Sequence, residues 1–246
     1  MKTSNILLTV SYDGTNFYGY QVQPNKRTVQ SELENAIFRL TGEKVKTVAS
    51  GRTDSGVHAL DQKVNFKTFS KIPPEKFTDA LNAFLPSDVK VLNSKKVSDT
   101  FSARYSAKKK TYLYKCYLSK LNMPLNDRYM VKIPYEIDIS LIKTACKVLE
   151  GTHDFRCFLA SGSSVKDTVR TIYKASVIKK GNELKFSFTG NGFLYNMVRI
   201  MVGTLLDIGA KNKTVESLQT ALITGDRNLA GKTMQANGLT LQKVLY

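Results

Sequence analysis

Short stretches in which apolar and polar residues alternate recur along this chain, and between them lie stretches with apolar residues at helical spacing. That mixture constrains the fold more than any other feature. In Asn5-Ile6-Leu7-Leu8-Thr9-Val10-Ser11-Tyr12 the side chains of Ile6, Leu8 and Val10 share one face, as in a strand. Asp13-Gly14 then signals a turn. From Thr28 the period changes: Val29, Leu33, Ala36, Ile37 and Leu40 predict a helix, with Thr28 as its cap and Gly42 past its end. Val45 to Ala49 reads as a strand, and Val64 and Phe66 alternate with Lys63, Asn65 and Lys67 in another. Phe77, Ala80, Leu81 and Phe84 predict a short helix ended by Pro86, ahead of a strand through Val89 and Val91.

The second half repeats the mixture. Tyr112, Tyr114, Cys116 and Leu118 alternate with Thr111, Leu113, Lys115 and Tyr117, a strand with aromatic residues on both faces. A helix runs from Leu141 to Glu150 and is stopped by Gly151, strands pass through Ile172 and through Leu184, Phe186 and Phe188, and further helices begin near Tyr195 and Val215. Strands with one polar face predict antiparallel sheet covered by helices on the other side, an α+β arrangement. The polar stretch from Ser98 to Lys110 predicts a boundary near Lys108 between two α/β halves, residues 1–107 and 108–246.

Charge narrows the partners. There are 37 Lys and Arg against 20 Asp and Glu, a formal charge of +17 that favours phosphate polyanions or anionic lipid. No apolar run approaches the ~20 residues of a spanning helix, and the start lacks a signal-peptide core, so the expected location is the cytoplasm. Cys116, Cys146 and Cys157 are odd in number and lack CxxC spacing, which predicts reduced, buried thiols. His58 and His153 fall in no metal-ligand pattern and read as structural or surface residues. Without a Walker lysine motif or GxGxxG, no nucleotide cofactor is expected.

In Phe101 to Tyr114 the basic residues Arg104, Lys108, Lys109 and Lys110 are interleaved with aromatics, offering phosphate contacts and flat faces for unstacked bases. The same pattern fits a solvated charge run entering a core strand; the net charge favours RNA. Asp54 lies in Gly51-Arg52-Thr53-Asp54-Ser55-Gly56, where it fits either an Asx turn or a catalytic carboxylate. The segment Tyr195 to Gly209 is apolar nearly all round, as in a buried helix, and it carries Arg199 with Gly203 one turn on. A buried guanidinium needs an anion, because burying a charge unpaired costs at least several kcal/mol. Arg199 therefore snorkels outward, pairs with Asp207, or holds a catalytic carboxylate ionised. Gly190 and Gly192 are expected to serve a tight strand-to-helix turn.

Four segments in order, Tyr12 to Gln23, Gly51 to Ala59, Phe101 to Arg104 and Asn191 to Arg199, resemble the tRNA pseudouridine synthase A family, and the likeness spans essentially the whole chain. The resemblance implies a homodimer with a mostly antiparallel sheet flanked by helices, and RNA in basic clefts between subunits. It implies conversion of uridine to pseudouridine at positions 38, 39 and 40 of the tRNA anticodon stem-loop, without cofactor or metal. Carried over, Asp54 matches the catalytic aspartate, Arg52 the arginine that helps flip out the nucleotide, Tyr112 the tyrosine that stacks on the base, and Arg199 the partner of the aspartate. Asp54 would attack covalently or remove a sugar proton to give a glycal, and the resemblance favours the glycal. Tyr20 stands where the family usually has tryptophan, Asp61 and Asn65 replace a common glycine and histidine, and Gln235 occupies a usual proline position. These departures leave open a paralogue acting on another tRNA or ribosomal uridine. The competing classes are an RNA-binding protein that keeps the fold without chemistry, and a metal-dependent nuclease, which would need clustered carboxylates.

Overall fold

The computed structural model describes residues 3–162 and 165–246, which divide into two compact units. One comprises the chain up to Lys108 together with Leu241–Tyr246, the other Lys109–Thr240.

The first unit contains β1 (Ser4–Tyr12), α1 (Val29–Thr41), β2 (Val48–Ala49), β3 (His58–Thr68), α2 (Phe77–Asn82) and β4 (Val89–Val97). β1 is central, antiparallel to β4 on one side and to β3 on the other. Pairing of Ile6 with Phe66 and of Leu8 with Val64 gathers the apolar members of both strands on one face, where they are 1% exposed or less. Val29, Leu33, Ala36 and Ile37 of α1 and Phe77 and Leu81 of α2 are buried too, and the Phe77 ring meets Phe66 edge-on at 5.6 Å. Each such Val, Leu, Ile or Phe side chain stabilises the fold by roughly 1.5–3 kcal/mol relative to exposure. As expected, α1 is capped by Thr28, whose hydroxyl accepts from Ser31 N, while the Ser31 hydroxyl accepts from Thr28 N. It ends at Gly42, in the left-handed region at φ 74°.

The second unit contains β5 (Lys109–Leu118), β6 (Val131–Ile133), α3 (Ile139–Leu149), β7 (Gly151–Asp154), β8 (Val169–Lys180), β9 (Glu183–Gly190), α4 (Met197–Gly209) and α5 (Val215–Thr224). Its strand order is β6-β5-β9-β8-β7; all pairs are antiparallel except β6 on β5. The architecture is α+β. A tenth strand, β10 (Leu239–Leu245), lies next to β3, and there Asp61 Oδ2 accepts from Val244 N at 2.9 Å. The expected second half, 108–246, had kept this strand; Leu241–Tyr246 instead belong to the first unit.

Strands β6 and β7 are not legible from periodicity, and β10, whose Leu239 and Leu241 alternate with Thr240 and Gln242, is not among the strands expected above. β6 has three residues, and β7 reads Gly-Thr-His-Asp, with no apolar member to alternate. The strand expected over residues 45–49 shrinks to Val48–Ala49, whereas the one seen around Val64 starts at His58.

Behind β1 and β3, buried amides take the place of apolar residues. Asn65 Nδ2 donates to Asn5 Oδ1 at 2.9 Å, and Asn65 Oδ1 accepts from Ala103 N at 2.8 Å. Asn5 Nδ2 donates to the Ser98 and Phe101 carbonyls at 2.8 and 3.0 Å. These bonds tie residues 98–103 across the sheet and leave Arg104 exposed beside Tyr105, whose ring lies 5.3 Å from its guanidinium.

Candidate active site

Asp54 lies between β2 and β3, in a loop held in place from outside. Tyr20 N donates to Thr53 O at 3.0 Å, Gly56 N and the Ser55 hydroxyl donate to Phe17 O at 3.3 and 3.1 Å, and Val57 N donates to Asp54 O at 3.1 Å. Residues 14–20 therefore press directly on 53–57. A Cβ on Gly14 would lie 2.1 Å from Val57 O, and one on Gly19, at φ 84°, would lie 2.8 Å from Thr53 O. Arg27 secures this overlying segment: its guanidinium forks onto Asp88 at 2.7 and 2.9 Å and covers the Phe17 ring at 4.1 Å. Those hydrogen bonds hold the Asp88 carboxyl below the usual carboxylate range.

Under the loop lies a polar network that the sequence reading missed. Ser50 Oγ donates to Gln62 Oε1 at 2.6 Å, and Gln62 Nε2 donates to Gly51 O at 2.7 Å and, more weakly, to Tyr12 Oη at 3.4 Å. Tyr12 Oη and Thr53 Oγ1 are 2.7 Å apart. Gln62 is wholly buried, and Ser50, Tyr12 and Thr53 are nearly so. Burial pushes the Tyr12 phenol up to about 12, so it stays a protonated donor at neutral pH. One signal could have revealed the network: Gln62 is in phase with Val64 and Phe66, a polar residue at a core-facing position. Arg52 is exposed and Asp54 half-buried, on either side of the buried Thr53.

His58 proves structural. Its Nδ1 accepts from Gly14 N at 3.0 Å, which requires that nitrogen to carry no proton; Asp13 Oδ1, 3.2 Å from the same nitrogen, would pair with it only after protonation. His153 Nε2 lies 3.0 Å from the Glu150 carbonyl. All three cysteines are buried and free.

In the second unit, Tyr112 on β5 is 8% exposed and meets the Phe193 ring edge-on at 5.1 Å. Lys108 and Lys109 are exposed and Lys110 is half-buried; Lys109 Nζ also lies 4.8 Å above the Tyr173 ring. Helix α4 is buried nearly all round, as its sequence predicts, but Arg199 is only half-buried. Its Nε donates to Met234 O and its Nη1 to Asn196 Oδ1, both at 2.6 Å. Asn196 occupies the left-handed region at φ 59°, which an asparagine tolerates. Gly190 ends β9 where the connection to α4 begins, and a Cβ there would lie 2.9 Å from both Thr171 O and the Ile172 side chain. Asp207 is raised by burial, an effect opposed by Lys213 and Lys232.

A family model described as tRNA pseudouridine synthase matches residues 8–106 and 145–246. The chain belongs to the tRNA pseudouridine synthase family. Relatives named tRNA pseudouridine synthase A agree with this end to end. The protein from Caldicellulosiruptor saccharolyticus is 47% identical over 242 residues, 98% of this chain and 99% of that one. That from Clostridium acetobutylicum is 46% identical over 98% and 99%, and that from Geobacillus sp. (strain WCH70) 44% over 99% of each. A solved Cbf5-Nop10-Gar1 complex shows a slight likeness, 15% identity at a TM-score of 0.34, over 96% of this chain and 57% of that chain.

As a pseudouridine synthase the chain is an isomerase, and three of the departures named from its sequence, at Asp61, Asn65 and Gln235, are accommodated locally. Asp61 meets β10 and pairs with Lys63 at 2.5 Å; Asn65 belongs to the amide network behind β1 and β3. Gln235 holds φ −60° and ψ 150°, within the range a proline would impose, and its carbonyl accepts from Tyr114 Oη at 2.7 Å. Among the described residues no three His, Cys, Asp or Glu side chains gather in a metal-sized group, and no helix is long and apolar enough to cross a membrane.

Proposed function

We propose that this enzyme isomerises uridine to pseudouridine at positions 38, 39 and 40 of the tRNA anticodon stem-loop. The observation that carries the reading is the 44–47% identity to proteins named tRNA pseudouridine synthase A over 98–99% of both chains. The reaction breaks the N1–C1′ bond and joins C5 to C1′; the C5 hydrogen leaves to solvent and N1 gains a proton. The target base must first leave its stack. Arg52 assists that step, Tyr112 stacks on the extruded base, Asp54 supplies the carboxylate and Arg199 is its cationic partner. The active form is a homodimer in the cytoplasm that needs no metal or cofactor, properties for which the family resemblance is the support.

Pseudouridine mapping of total RNA from cells with and without the gene tests the target. Loss at tRNA positions 38 to 40 is expected, and loss confined to ribosomal RNA would reject the target while leaving the chemistry standing.

Arg104, Lys108, Lys109 and Lys110 serve as contacts to the RNA backbone. Each phosphate neutralised contributes about 0.9 to the slope of log Kobs against log salt on duplex nucleic acid. Replacing the exposed Arg104, Lys108 and Lys109 with alanine should therefore flatten the slope for tRNA by about 2–3. An unchanged slope in a binding titration would remove these residues from the interface.

A further inference from the structure

We propose that Gln62 is a positioning residue for the isomerisation, fixing the loop backbone on both sides of Arg52 and so the direction in which Asp54 presents its carboxylate. The inference rests on the reading of Asp54 as the catalytic residue.

The geometry leaves Gln62 one arrangement. A carbonyl can only accept, so the group 2.7 Å from Gly51 O is the NH2 end of the amide, and the oxygen end receives the Ser50 hydroxyl. The same amide nitrogen donates to Tyr12 Oη at 3.4 Å, and Tyr12 Oη shares a 2.7 Å hydrogen bond with Thr53 Oγ1. Gln62 thus links Ser50, the Gly51 carbonyl and, through Tyr12, the Thr53 side chain. Gly51 and Thr53 flank Arg52, and Thr53 adjoins Asp54. β3 therefore controls the loop from beneath while residues 17–20 hold it from above through Tyr20 N and Phe17 O.

Those upper contacts do not involve Gln62, so its loss should loosen the loop without unfolding the unit. Misplacing a catalytic group by about 1 Å can cost on the order of a hundredfold in rate. Gln62→Leu keeps much of the volume and removes every hydrogen bond. We expect its kcat on tRNA to fall about 30–100-fold with KM within about threefold of the parent. Gln62→Glu keeps the acceptor for Ser50 but loses the donors, and should be impaired to a similar degree. Ser50→Ala should be milder, and adding it to Gln62→Leu should cost nothing further, because the two side chains act as one unit.

A purely structural role would lower the melting temperature and leave kcat per folded molecule, measured well below melting, at the parent value. Gln62→Leu with parental kcat, or with KM rising in step with the loss, would overturn the proposal. Should Gln62→Leu fail to fold, Thr53→Val, which keeps the side-chain shape but not the bond to Tyr12, must show a kcat loss at unchanged KM for the proposal to stand. Asp54→Asn assayed alongside separates the two failures. An active Asp54→Asn enzyme would remove the catalytic reading itself, whereas an inactive one beside a fully active Gln62→Leu would remove only the role of Gln62.

Discussion

Tritium release from tRNA labelled at uracil C5 is expected to fall at least about a thousandfold in Asp54→Asn, within the ~10²–10⁴ range that a positioned acid or base contributes. The substitution is nearly isosteric, so it removes the carboxylate charge and little else. The backbone contacts of the loop, from Tyr20 N to Thr53 O and from Val57 N to Asp54 O, do not use the side chain. No basic residue is lost either, so tRNA affinity in a gel-shift titration should stay within several-fold of the parent. An Asp54→Asn enzyme that still releases tritium at a tenth of the parental rate would sink the assignment, whatever its affinity.

Gly203→Ala should produce the largest loss of stability among single-methyl additions near α4. A Cβ at residue 203 would lie 2.0 Å from Lys232 O and 3.1 Å from the Lys232 carbonyl carbon. Both are backbone atoms, so no side chain can rotate away. The approach is reciprocal, since a Cβ on Gly231 would meet Gly203 C and Thr204 N at 2.5 Å, and Gly231 N donates to Thr204 Oγ1 at 2.7 Å. Overpacking of this kind costs about 1–3 kcal/mol and occasionally more. At the upper end, a protein of this size should melt roughly 6–12 °C lower. The displaced segment also carries Met234 O, the acceptor for Arg199 Nε, so turnover by the folded fraction should fall too. A thermal melt and a kcat both at parental values would show that residues 231–234 can withdraw freely and that their contact with α4 is not needed to hold Arg199.

Much of the fold could be read from the sequence wherever apolar periodicity and punctuation coincide. α1 is legible because Val29, Leu33, Ala36 and Ile37 form its buried stripe and Thr28 and Gly42 mark its ends. β3 is legible only in its second half, because Asp61 and Gln62 interrupt the alternation. Both polar residues answer to partners far away in sequence, Asp61 to Val244 and Gln62 to Ser50, Gly51 and Tyr12. The position of the Asp54 loop was visible from its bracketing glycines, but its support was not, since residues from β1, β3 and the 14–20 segment meet there only after folding. Arg199 stood out as a charge in an apolar helix. Its half-exposed setting and its bonds to Asn196 and to the Met234 carbonyl depend on where residues 231–234 run, which no local pattern encodes.

The return of β10 to the first unit has a consequence for synthesis on the ribosome. β3 leaves the exit tunnel long before the strand that borders it: 170 residues separate Thr68 from Leu239. At roughly 5–20 residues per second the interval is on the order of ten seconds or more. Until then the part of that β3 edge not paired with β2 lacks a neighbour, and an open edge invites pairing with other nascent chains. Of the two lysines on β3, Lys63 is paired with Asp61 and bonded to Thr9 of β1, whereas Lys67 is exposed. A free lysine charge on a strand of this kind disfavours pairing between incomplete copies and so keeps the edge for its own strand.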